Sequence, residues 1–162
     1  MAETLIIDKD LNKDEKYRLL IQQVKALLDQ RDNLLSNLSN FTAILKETFA
    51  KISWVGFYLF DGDKLYLGPF QGKIACTSIK IGKGVCGTSA EKLESVIVPD
   101  VNKFPGHIVC DADSKSEIVI PILKNEKLFG VLDIDSASYN SFDETDKKYL
   151  EELSNFLSTE IL

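Results

Sequence analysis

The chain has 162 residues, 44% of them apolar and 27% charged, with a net charge of −6, which suits one compact domain, 1–162, able to bury a sizeable core. No basic cluster interrupts the mild acidity, so nucleic acid and anionic membrane surfaces are poor partners; no apolar run approaches the roughly 20 residues of a membrane-spanning helix. Met1 to Asp10 carries acids and no basic stretch ahead of an apolar one, so it does not read as a signal peptide, and a cytoplasmic location with reduced thiols is expected.

From Lys13 to Ala50 there is neither Gly nor Pro. Tyr17, Leu20, Ile21, Val24, Leu27 and Leu28 recur at helical spacing. Asp29 to Asn33 is a polar turn, and a second helix starts near Leu34 with Leu38, Phe41, Ile44, Leu45 and Phe49 on its apolar side. The pattern then turns to strands. Trp54 to Phe60 is rich in aromatic and β-branched residues, Asp61-Gly62-Asp63 is a turn, and Lys64 to Leu67 completes a hairpin. Lys73 to Ile81 reads as a further strand. Gly82, Gly84 and Gly87 mark a tight connection into a short helix over Thr88 to Leu93. Ser95 to Val98 is a strand stopped by Pro99, and Asn102 to Lys115 is a long polar loop. Glu117 to Ile122 and Lys127 to Ile134 are two more strands. Asp143 to Leu162 is an amphipathic helix capped by Ser141 or Asp143. Helices at both ends of a run of about six short strands give an α+β class with an antiparallel sheet.

Three cysteines form no even disulfide framework. Cys76 falls in the strand read over 73–81, where a small buried hydrophobe is the ordinary role. Cys110 stands in the polar loop with His107, Asp111 and Asp113. Cys86 stands at a helix start, whose partial positive charge favours thiolate, so local electrostatics alone nominate Cys86 as nucleophile. Cys76, Cys86, His107 and Cys110 would make a Cys₃His zinc set, but their gaps match no usual paired-ligand spacing, and no metal is expected. His107 is the single histidine, so hydrolase schemes rest on it alone and their other parts are not recognisable.

Asp133 and Asp135 alternate with Leu132 and Ile134, so both acids point to one face of their strand. They are either solvated or hold a cation. Glu117 can lie across the hairpin from them, depending on register. Trp54 and Tyr58, four apart in a strand, also share a face. Aromatics beside carboxylates suit a small cationic ligand, although core packing is their ordinary role.

Taken together, Trp54-Val-Gly-Phe-Tyr58, Gly82-Lys-Gly-Val-Cys-Gly87, Val98-Pro-Asp-Val101, His107-Ile-Val-Cys110, Glu117-Ile-Val-Ile-Pro121 and Gly130-Val-Leu-Asp-Ile-Asp-Ser136 resemble the free methionine-(R)-sulfoxide reductases, a family of GAF-domain enzymes. The resemblance runs in order from about Trp54 to Asp146, and its specific part is the cysteine set Cys76, Cys86 and Cys110. It implies a GAF-like fold: a central antiparallel sheet of about six strands, with the N- and C-terminal helices packed on one side. It implies reduction of free L-methionine-(R)-sulfoxide with Cys110 as nucleophile and Cys76 and Cys86 as thiols able to close a disulfide with it. Trp54 and Tyr58 would line the substrate pocket, and Glu117, Asp133 and Asp135 would hold the substrate, with Glu117 or Asp135 giving the proton. No bound cofactor is implied; thioredoxin or a similar thiol reductant would recycle the enzyme, and a homodimer is expected. Between the two partner thiols the expectation leans to Cys86, since a thiol in a glycine connection moves more easily than one in a strand. The alternative reading is a non-catalytic GAF sensor of small ligands.

Overall fold

The structure, a computed structural model, describes residues 4–162; the first three residues of the Met1–Asp10 stretch and of the 1–162 domain lie outside the described residues. Helix α1 spans Lys13–Leu27 and α2 spans Leu34–Thr48. Each begins where an asparagine side chain satisfies an otherwise unpaired amide: Asn12 accepts from Glu15 N, and Asn33 from Leu35 N. Strands β1 (Trp54–Phe60) and β2 (Lys64–Gln71) form the expected hairpin. Asp61 pins its turn by accepting from the amides of Asp63 and Lys64. β3 (Ser78–Lys80), α3 (Gly84–Lys92) and β4 (Val96–Val98) follow. β5 (Ser116–Lys124) and β6 (Lys127–Ser136) are joined through Asn125 and Glu126, both at positive φ, as a two-residue hairpin turn requires. α4 (Glu144–Phe156) is capped by Asp143, which accepts from the amides of Thr145 and Asp146, and it ends in a π-helical turn, Leu157–Ile161, not the α-helix expected there.

The six strands form one antiparallel sheet in the order β3-β2-β1-β6-β5-β4. Period-two alternation splits its residues between two cores. Val55, Phe57, Ile118, Ile120, Leu132 and Ile134 face α1, α2 and α4. Trp54, Tyr58, Val98, Val119 and Val131 face the opposite side, under α3 and the long loop. The terminal helices thus share one face, leaving the other for a pocket. Among the described residues, no helix is long and apolar enough to cross a membrane.

One expected strand is much shorter. Only Ser78–Lys80 pairs with β2, so Cys76 lies in a loop. Side-chain bonds hold this stretch in place of ladder bonds: Trp54 Nε1 donates to the Lys73 carbonyl (3.0 Å) and Tyr58 Oη to the Cys76 carbonyl (2.9 Å).

Candidate active site

Strand register assembles the floor of the pocket. Trp54 pairs with Asp135, Asp135 with Glu117, and Glu117 with Val98, forming one row across four strands. The next row runs Gly56, Asp133, Val119, Val96. Three carboxyls and an indole therefore converge on the face opposite the terminal helices. Gly56 makes room for the ring: a Cβ there would overlap both Trp54 and Phe70. Trp54 stacks on Phe70, with ring centres 5.4 Å apart, and on Tyr58 at 6.1 Å.

The acids are not a solvated edge. Glu117 and Asp133 are each only 6% exposed. Burial, reinforced by the charges of Asp133 and Asp135, pushes Glu117 well above the usual carboxyl range. Asp135 is raised likewise, by burial and then by Asp133, while Ser114 Oγ donates to its Oδ1. Asp133 is raised by burial to about 6, and its Oδ1 is buried with no hydrogen-bond partner. An acceptor left in that state is costly unless a ligand supplies a donor.

Cys86 is in the first turn of α3, but it points inward. It is 3% exposed, and its sulfur lies 3.9 Å from Glu117 Oε1. Cys86, Glu117 and Asp133 place their donor atoms within 4.8 Å of one another. Burial first, then Asp133 and Glu117, push the thiol well above its ordinary value. The thiolate expected from the helix start is therefore overturned: a helix terminus contributes about 1 kcal/mol, whereas full burial shifts a pKa by up to several units.

Cys76 and Cys110 are joined in a disulfide, with Cα atoms 5.4 Å apart, and Cys86 is free. The structure thus pairs Cys110 with Cys76 and not with Cys86, toward which the sequence leaned. The reason is positional. Both bonded cysteines sit on loops that meet over the pocket mouth, while Cys86 is fixed beneath them by its helix. The Cys₃His set is not available as four free ligands. Cys110, His107 and Ser114 border the same pocket as Trp54, Tyr58, Cys86 and the three acids. His107 Nε2 is 3.8 Å from Glu117 Oε2, and burial lowers its pKa, which keeps the ring neutral. Sequence reasoning missed Ser114 and the hold of Trp54 and Tyr58 on the Cys76 loop, because neither contact follows a strand or helix period.

This sheet with a pocket under α3 corresponds to a GAF domain, and a family model described as GAF domain matches residues 38–161. The chain is similar to GAF domain-containing protein A of Dictyostelium discoideum, 52% identical over 97% of this chain and 99% of that protein. It is similar to the free methionine-R-sulfoxide reductase of Saccharomyces cerevisiae, 45% identical over 97% of this chain and 92% of that one. Among solved structures it resembles free methionine-R-sulfoxide reductase from Neisseria meningitidis in complex with its substrate, 42% identical with a TM-score of 0.89, over 96% of this chain and 94% of that chain. The chain belongs to the free methionine-R-sulfoxide reductase family of GAF domains.

Proposed function

We propose that this protein reduces free L-methionine-(R)-sulfoxide to methionine. The observation that carries the reading is a disulfide-forming cysteine, Cys110, bordering a pocket with two buried carboxyls and a third half-buried one, Asp135; one of the buried pair has an unpartnered oxygen. Asp133, whose pKa is near 6, is ionised at neutral pH and receives the substrate's ammonium group, while Trp54 and Tyr58 wall the aliphatic part. Glu117 and Asp135, held protonated by burial and by neighbouring charge, face the sulfoxide oxygen as proton donors.

Cys110 thiolate attacks the sulfoxide sulfur. The oxygen takes a proton and passes to Cys110 as a sulfenic acid, and methionine leaves with its sulfur reduced by two electrons. The Cys76 thiol then attacks the Cys110 sulfur. Water departs, and the disulfide forms. A dithiol reductant of the thioredoxin class restores both thiols, which fits a reducing cytoplasm. Assembly as a homodimer belongs to the same proposal and is tested by sedimentation, with a species of twice the chain mass expected.

The activity test is thioredoxin-coupled turnover of free methionine-R-sulfoxide, its S epimer and the N-acetylated R compound in parallel. The R epimer alone is expected to turn over well. Acetylation removes the ammonium charge and leaves Asp133 without its partner, a loss of several kcal/mol. Equal rates for free and acetylated substrate would sink the reading.

A further inference from the structure

The two sulfurs of the disulfide are not equivalent. Cys110 borders the pocket with the three acids, and Cys76 is not among the residues lining it. The segment carrying Cys76 is fastened from beneath by Trp54 and Tyr58, which hold the carbonyls of Lys73 and Cys76. At the rim of that pocket Ile74 is 91% exposed, and beside Cys110, Val109 is 66% exposed. Two large apolar side chains in water thus flank the bond, each within two residues of a bonded cysteine. An ion pair between Lys73 and Asp113, with Asp111 at 3.7 Å from Lys73, ties the two loops alongside it.

We infer that a protein dithiol docks over Ile74 and Val109 and attacks the sulfur of Cys76, expelling Cys110 as a thiolate. This rests on the proposed reductase cycle and adds the point of entry and the face used by the electron donor. Thiol–disulfide exchange goes by attack of a thiolate on one sulfur while the other leaves. A thiolate seeking Cys110 from the pocket side would enter the substrate space, where ionised Asp133 repels it; one seeking Cys76 approaches a sulfur that does not line that space. The partner's first sulfur bonds to Cys76 as the Cys76–Cys110 bond breaks, and the electron pair stays on Cys110, next to its substrate site. The partner's second thiol attacks its own first sulfur and releases Cys76. Two electrons pass to this chain, the partner becomes a disulfide, and two protons restore the thiols.

The test uses the full-length, disulfide-bonded protein and a thioredoxin whose second active-site cysteine is replaced by serine. After acid quench, alkylation and tryptic digestion, cleavage at Lys73, Lys80, Lys83, Lys92, Lys103 and Lys115 puts each cysteine on its own peptide. The trapped partner is expected on peptide 74–80, with alkylated Cys110 on 104–115. A partner on 104–115, or no mixed disulfide at all, overturns the inference. Val109→Asp is expected to lower kcat/KM for thioredoxin about tenfold while turnover driven by dithiothreitol stays unchanged; equal turnover with thioredoxin refutes the docking face. A burst of methionine from the reduced protein, measured separately, tests the reductase reading itself, so the two failures are distinguishable.

Discussion

A buried carboxyl that has to ionise for its ligand weakens the fold whenever the ligand is away. Asp133 has its pKa raised from 3.8 to about 6 by burial, so the folded chain binds that proton more tightly than the unfolded one. Its stabilising contribution is full below 3.8 and is lost as pH rises through 6. Asp133→Asn is therefore expected to raise the melting temperature at pH 8 by a few degrees, on the order of 1 kcal/mol, and to flatten the pH dependence. At the same time kcat/KM for free sulfoxide should fall roughly tenfold or more. Calorimetry and steady-state kinetics on one preparation check both; a variant that loses stability along with activity contradicts the account. The three thiols separate in single turnover. Cys110→Ser should release no methionine. Cys76→Ser should release one equivalent and then stall with thioredoxin, its sulfenic acid open to chemical trapping. Cys86→Ser should continue to cycle, because that thiol is free and buried; a stall there would restore Cys86 as the partner thiol.

At the scale of elements, the strands were legible and the loops were not. Alternation in Leu132-Asp133-Ile134-Asp135 put both acids on one face, but the register that sets Glu117 opposite Asp135 was not legible, because it depends on a bulge between Ile122 and Leu123 as well as on the turn at Asn125 and Glu126. Burial of those acids was not legible, because the residues covering them come from α3 and from loops with no period. The same limit hid the disulfide partner: Cys76 reads as strand from the β-rich run 73–81, but its loop is shaped by Trp54 and Tyr58, about twenty residues earlier in the chain. Lys73, bound to Asp113 and near Asp111, clasps that loop to the one carrying Cys110. All but Asp111 in this clasp are well exposed, so it adds at most about 1 kcal/mol, yet it acts where two sulfurs must meet. Lys73→Met is expected to slow disulfide closure several-fold, seen as a longer-lived sulfenic acid, without changing the methionine burst. Raised ionic strength should slow the native protein toward the variant. An unchanged closure rate rules out the clasp.

Across the whole molecule, the stability of the fold depends on a junction far from the site. Asp146, fully buried, accepts from Tyr17 Oη at 2.8 Å and binds Lys13 at 2.9 Å and Lys51 at 2.6 Å, so one carboxylate joins α1, the segment entering β1 and α4. Asp146→Ala leaves Lys51 partly buried without its counter-charge, which is expected to cost about 3 kcal/mol. Activity measured well below the melting temperature should persist, because the pocket lies on the opposite face of the sheet. Loss of activity in a folded variant would show that the two faces are coupled. The fastening of the Cys76 loop has one more use. Trp54 is the single tryptophan of the chain; its indole nitrogen grips that loop and its ring borders the pocket. Light emitted by this one ring is therefore expected to change as the sulfur bond opens and closes, an optical probe already built into the chain that needs no added label.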